Sequence, residues 1–181
     1  MKGLKLPPTL EHLYIWLTGA CFSASKTLAK AAKDFGKSLK NCENLKLLVL
    51  LFDVLFGVDG FKQVVSSIPE DMTQVETFHI YNCCTEDEGN STVDLADIMK
   101  ITCNMRNLEL LIVNIEQLSL SSQGLPELEE MKNLRYLYLQ SGEESEDFDL
   151  GKSLDIMRFV RKNVGLRHLR IDFWVRWLDK E

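Results

Sequence analysis

Three apolar residues recur six times in the spacing Leu-x-x-Leu-x-Leu. They are Leu10, Leu13, Ile15; Leu45, Leu48, Leu50; Val75, Phe78, Ile80; Leu108, Leu111, Val113; Leu134, Leu137, Leu139; and Leu166, Leu169, Ile171. The clearest copy is Asn133-Leu134-Arg135-Tyr136-Leu137-Tyr138-Leu139. Alternate residues of a strand point to opposite faces, so Leu137 and Leu139 face one side and Tyr136 and Tyr138 the other. Leu134 joins the buried side from the turn before the strand. Successive first anchors lie 35, 30, 33, 26 and 32 residues apart. A self-similar unit with a period of about 20–50 residues marks an array in which each unit buries its apolar face against the next.

On these residues the chain resembles a leucine-rich-repeat protein, and the helix-length steps resemble the ribonuclease-inhibitor-type branch. The resemblance covers nearly the whole chain. The family places Asn or Cys at the ninth position of the motif. Here Cys83 fits, and Thr18, Asp53, Glu116, Gly142 and Trp174 occupy the others. The resemblance implies an α/β solenoid of about six units forming one domain over residues 1–181. Parallel strands would line its concave face and helices its convex face, because strand–helix–strand crossovers keep one hand and helices are wider than strands.

The chain order fits that plan. Strands are expected at about Leu10–Leu17, Leu45–Phe52, Val75–Asn82, Leu108–Val113, Leu134–Leu139 and Leu166–Asp172. The longest helix is expected from Ser25 to Cys42, with Leu28, Ala31, Ala32, Phe35, Leu39 and Cys42 on its apolar face. Others are expected at Phe61–Ile68, from a Ser91 cap with Asp94 as its capping-box partner to Cys103, briefly at Pro126–Met131, and at Leu150–Lys162. In the last of these Leu150, Leu154, Met157 and Val164 share a side. Asn or Gly before several strands (Asn44, Asn107, Asn133, Gly165) suits a left-handed stop. The eighteen anchors should form the core. Nothing before Leu10 has the polar face of a cap, so the first strand should leave an open edge. At the other end, Phe173, Trp174, Trp177 and Leu178 should fold over the last unit or meet a partner.

The longest apolar run, Leu47 to Phe52, is too short to cross a bilayer, and the start lacks the apolar stretch of a secretory signal. Five cysteines, an odd number, fit reduced thiols in a cytoplasmic chain better than a disulfide framework. Asn90-Ser91-Thr92 is then an unmodified loop. The net charge of −6 is uneven. Residues 1–50 carry eight lysines and three acids, net +5, against −11 for the remainder.

No motif for catalysis is present. There is no glycine-rich phosphate loop, no metalloprotease His pair and no Gly-x-Ser-x-Gly elbow, and Cys83-Cys84 lacks a second pair at zinc spacing. The chain reads as neither an enzyme nor a cofactor binder. Information lies instead in the residues between the anchors, which form three columns on the concave face. They are His12, Leu47, Thr77, Leu110, Tyr136, His168; Tyr14, Val49, His79, Ile112, Tyr138, Arg170; and Trp16, Leu51, Tyr81, Asn114, Gln140, Asp172. All three histidines and all four tyrosines fall here, and Lys and Glu are absent. That composition matches the core of a protein interface. Strand propensity alone explains Tyr and Val but not Leu47, Leu51, Leu110 and Ile112 facing water. The expected partner-binding residues are Tyr14, Trp16, His79, Tyr81, Tyr136, Tyr138, His168 and Arg170.

A second feature is the stripe Lys26, Lys30, Lys33, Lys37 and Lys40 along the first helix. Its ordinary meaning is a solvated helix face, and its functional meaning is a patch for an acidic partner: an acidic protein segment, nucleic acid or an anionic membrane surface. Without Arg or aromatics it does not point to nucleic acid. The expectation from sequence is a non-catalytic interaction module, an adaptor or scaffold that binds another protein on its concave strand face. The alternative is a permanently assembled structural subunit of a large complex.

Overall fold

The computed structural model describes residues 5–18, 26–53, 58–82, 93–115, 118–119, 130–141 and 150–173. The fold is α/β. Six parallel strands form one sheet: β1 (His12–Leu17), β2 (Leu47–Phe52), β3 (Thr77–Asn82), β5 (Leu110–Ile115), β7 (Tyr136–Ser141) and β8 (His168–Phe173), side by side in chain order. Four helices are present among the described residues: α1 (Lys26–Lys40), α2 (Val58–Val65), α3 (Leu95–Thr102) and α4 (Leu150–Lys162). Two short strands, β4 (Val93–Asp94) and β6 (Leu118–Ser119), pair in parallel as a separate sheet that the sequence pattern does not announce.

The register aligns the six motifs residue by residue. His12, Leu47, Thr77, Leu110, Tyr136 and His168 form one continuous row, and the next rows follow in step. A recurring turn sets it. Before every strand the first anchor's N–H donates to the carbonyl three residues back: Leu10 to Pro7, Leu45 to Cys42, Val75 to Met72, Leu108 to Met105, Leu134 to Met131 and Leu166 to Asn163. Past that turn one carbonyl accepts two N–H groups from the following strand. Glu11 takes Lys46 and Leu47, Lys46 takes Glu76 and Thr77, Glu76 takes Glu109 and Leu110, Glu109 takes Arg135 and Tyr136, and Arg135 takes Arg167 and His168. Each strand is therefore fixed to its neighbour at its first residue, and a one-residue slip would break both bonds.

The residue three before the anchor is buried in each of the last five turns, as Cys42, Met72, Met105, Met131 and Asn163. Side-chain amides add ties between adjacent turns. Gln74 Nε2 donates to Cys42 O (2.8 Å), Asn133 Nδ2 to Arg106 O (2.7 Å), and Met131 N donates to Asn163 Oδ1 (2.8 Å) while Asn163 Nδ2 donates to Phe159 O (2.7 Å). Gly165 does not take the left-handed conformation expected of a helix stop. A Cβ there would meet the end of the Arg135 side chain, which is flexible enough to swing aside, and would press on the Lys132 carbonyl at 3.1 Å.

One apolar cluster joins one face of the sheet to all four helices. It contains Leu48, Leu50, Phe78, Ile80, Leu111, Val113, Leu137 and Leu139 from the strands. The helices add Leu28, Phe35 and Leu39, Phe61 and Val64, Ile98 and Met99, and Ile156 and Phe159. Among the described residues, the helices therefore cover that face and none covers the other. Fully burying one such side chain contributes about 1.5–3 kcal/mol before entropy is subtracted.

Several expectations need correction. Of the eighteen anchors, Leu169 is exposed, and Leu10, Ile15, Leu166 and Ile171 are only partly buried. Leu6, ahead of the first strand, packs against the core, and Cys42 Sγ lies 3.7 Å from Pro7 O. The lead-in is therefore attached to the fold, although among the described residues β1 still pairs on one side only. On α1 Ala31 is exposed. Helix α2 begins and ends three residues before the expected bounds. Asp94, not Ser91, is the cap of α3, accepting from Ala96 N at 2.9 Å. On α4 the buried side is Ile156 and Phe159, while Met157, and Val164 just past the end of the helix, face solvent. Ser91, the side chains of Leu150 and Leu154, most of the expected helix at Pro126–Met131, and residues 174–181 lie outside the described residues.

Candidate functional site

The open face of the sheet carries all eight residues expected to bind a partner. Pleating turns them there because they alternate with anchors held in the core. Their exposure is graded. Tyr14 and Trp16 on β1 are 66% and 70% exposed. Tyr136, His168 and Arg170 on β7 and β8 are exposed, and His79, Tyr81 and Tyr138 are partly covered. Between the two ends lies an apolar centre. Val49 is buried, and Leu47, Leu51, Leu110 and Ile112 are half-buried by their neighbours.

The structure brings some of these residues into contact and keeps others apart. Tyr136 and His168 stack with ring centroids 4.8 Å apart and planes within 7°, a parallel arrangement that adjacent parallel strands at matched register favour. Arg170 Nε donates to Asp172 Oδ2 at 2.6 Å. Asn114 Nδ2 donates to Gln140 Oε1 at 3.2 Å along the same row. Tyr14 and Trp16, in contrast, are separated from Tyr136 and Tyr138 by three intervening strands. The face is thus an extended wall and not a convergent pocket. His79 sits mid-wall, between Val49 and Ile112 across the strands. Burial there lowers its pKa below the ordinary 6.5, because an imidazolium loses hydration among apolar neighbours.

The histidines occupy β1, β3 and β8. Among the described residues no three His, Cys, Asp or Glu side chains are grouped to hold a metal ion. Cys42 is a buried thiol that donates to Ser38 O, and burial raises its pKa. No helix among the described residues is long and apolar enough to cross a membrane.

A second concave feature lies on the helical side and went unnoticed in the sequence. A groove of about 480 Å³ runs between α1 and the chain leaving α2. Small residues of α1, Ala29, Ala32 and Gly36, form one side with Lys33, Lys37 and Lys40, and Gln63, Ser66, Ser67 and Pro69 form the other. Gly36 makes it possible, because a Cβ there would strike the Ser67 carbonyl. A glycine inside a good helix was the available signal, since it costs about 1 kcal/mol relative to Ala unless packing needs it. Lys30, Lys33, Lys37 and Lys40 of the expected stripe are all exposed, and the side chain of Lys26 lies outside the described residues.

No protein-family model matches this chain, and no curated protein matches it.

Proposed function

We propose that this chain is built from leucine-rich-repeat-like units and acts as a non-catalytic interaction module, an adaptor or scaffold. Its open strand face binds a partner protein. One observation carries the reading. Tyr14 and Trp16 are more than 60% exposed, at the edge of a half-buried apolar strip on a face without helices. Strand propensity accounts for the aromatics but not for Leu47, Leu51, Leu110 and Ile112 beside them on an open face. Contiguous exposed apolar surface of this kind marks contact sites, and Trp, Tyr and Arg dominate interface energetics once buried. The wall accepts an apolar anchor at its centre, with aromatic contacts at the β1 end and the Tyr136–His168 stack and Arg170 at the other.

The test is partner recovery by proximity labelling with the full chain and with Trp16→Ala and Tyr138→Ala. Each variant should lose a partner that the parent recovers, at a cost of about 2 kcal/mol or more in binding. Each should keep the parent's melting temperature, because both side chains point away from the core. Equal recovery by parent and variants would refute the reading.

A second reading, a fixed subunit of a larger complex, draws on a separate observation. Leu169, Met157 and Val164 leave apolar surface uncovered near the β8 end. A fixed subunit should aggregate when produced alone, whereas an adaptor should remain monomeric. Sedimentation of the isolated chain separates the two.

A further inference from the structure

The lysine stripe changes meaning once the groove beside it is considered. Lys33 and Lys37 rise from one wall of the α1–α2 groove, and no acid pairs with either among the described residues. The next lysine along the same edge, Lys40, already holds a carboxylate: its Nζ lies 3.1 Å from Asp71 Oδ2. That contact lowers the pKa of Asp71, chiefly through the hydrogen bond from Lys40. The chain's own carboxylate thus occupies one position of a repeating cationic edge and leaves two positions free.

We infer that the α1–α2 groove is a docking site for an acidic peptide segment of a partner protein, laid along α1 with carboxylates on Lys33 and Lys37. Three observations favour a peptide over other anions. The positive charges are strung along the helix, at about 5–6 Å per step of three or four residues, and do not converge on a point. An extended chain with alternate acids presents carboxylates about 6–7 Å apart on one side, a comparable spacing. The stripe has lysines and no arginine fork, which does not favour bidentate phosphate capture. The opposite wall also offers an acceptor. Gln63 lines the groove, and its Oε1 is buried with no hydrogen-bond partner. The terminal torsion of glutamine is broad, so that oxygen can turn to a peptide N–H laid in the groove. Inorganic phosphate dianion supplies no comparable row of donors. This inference does not depend on the strand face.

The test uses the full chain and a fluorescein-labelled twelve-residue peptide of alternating Glu and Ser, followed by fluorescence anisotropy at low salt. The parent should bind. Lys33→Gln with Lys37→Gln should weaken binding about tenfold, the effect of losing two exposed ion pairs. Ala29→Trp, which fills the groove and leaves every charge in place, should weaken it comparably. Lys62→Gln, on an exposed α2 lysine outside the groove lining, should leave it within about twofold. Circular dichroism melting must show all variants folded, and Ala29, Lys33 and Lys37 are exposed enough to allow this. Equal binding by the parent and the double variant overturns the site. Full binding by Ala29→Trp also overturns the groove and leaves only a general field. Binding of phosphatidylserine vesicles or inorganic phosphate through Lys33 and Lys37, without peptide binding, overturns the peptide assignment.

Discussion

The two edges of the main sheet carry the same motif and bury it differently. On β1 the middle anchor Leu13 is 9% exposed, and on β8 its counterpart Leu169 is 40% exposed. Leu13 belongs to the cluster that includes Leu28, Ala32 and Phe35 of α1, with Leu6 and Leu10 of the lead-in packed against it. Around β8, α4 contributes Ile156 and Phe159, while Met157 and Val164 turn to solvent. The open face differs between the same two edges. Tyr14 and Trp16 stand free on β1, whereas on β8 His168 is stacked on Tyr136 and Arg170 is paired with Asp172. An identical local pattern therefore gives a covered core with bare aromatics at one edge, and a bare leucine with engaged polar rings at the other. Burial belongs to the neighbours and not to the motif.

The largest expected effect tests the centre against both edges. Leu137 is fully buried, and Leu137→Ala should cost about 2–5 kcal/mol through the cavity it leaves. Urea denaturation measures this directly. A loss below about 1 kcal/mol would mean that the centre is packed no better than the edges.

Next comes the polar tie that holds the β8 end. Asn163 satisfies Met131 N–H and Phe159 C=O, and both bonds are buried. Asn163→Ala should cost about 1–3 kcal/mol by stranding those groups. A neutral outcome in the same denaturation assay would show that leucine packing, not the amide, secures the last strand.

The edges can then be compared with each other. Leu13→Ala should destabilise more than Leu169→Ala by about 1–2 kcal/mol, since an exposed leucine has less burial to lose. Equal losses would erase the distinction. They would mean that Leu169 is covered in solution.

The smallest effect is a pH dependence at mid-sheet. Burial depresses the folded-state pKa of His79 below 6.5, so between those two values the unfolded chain binds more protons. Stability should fall as pH drops below about 6.5, and the loss should be complete once pH passes below the folded value. His79→Gln should flatten that part of the profile in thermal melts at pH 7 and pH 5. The same slope in parent and variant would assign the dependence to other groups.

Much of this was legible from residue order. The six strands and their parallel alignment follow from motif spacing, and a one-residue slip is excluded because it would turn each buried face outward. The eight candidate interface residues fall on one face for the same reason. The helix phases were less legible. On α4 Met157 looked as apolar as Ile156, and both fit a helical period, so only packing chose between them. The cap of α3 moved from Ser91 to Asp94 because the β4–β6 pairing holds the chain extended up to Asp94, and that pairing lies between segments distant in sequence.

The sequence by itself determined which side chains alternate between core and open face, and which lysines share a helix edge. Those are local periodicities, set by the geometry of strand and helix. Only the tertiary structure decided that Gly36 sits against the Ser67 carbonyl and opens a groove under those lysines, that Asp71 reaches Lys40, that His168 stacks on Tyr136, and that Leu169 is left exposed. Each depends on where residues about 30 or more positions apart meet. No window of one helix or strand contains that information.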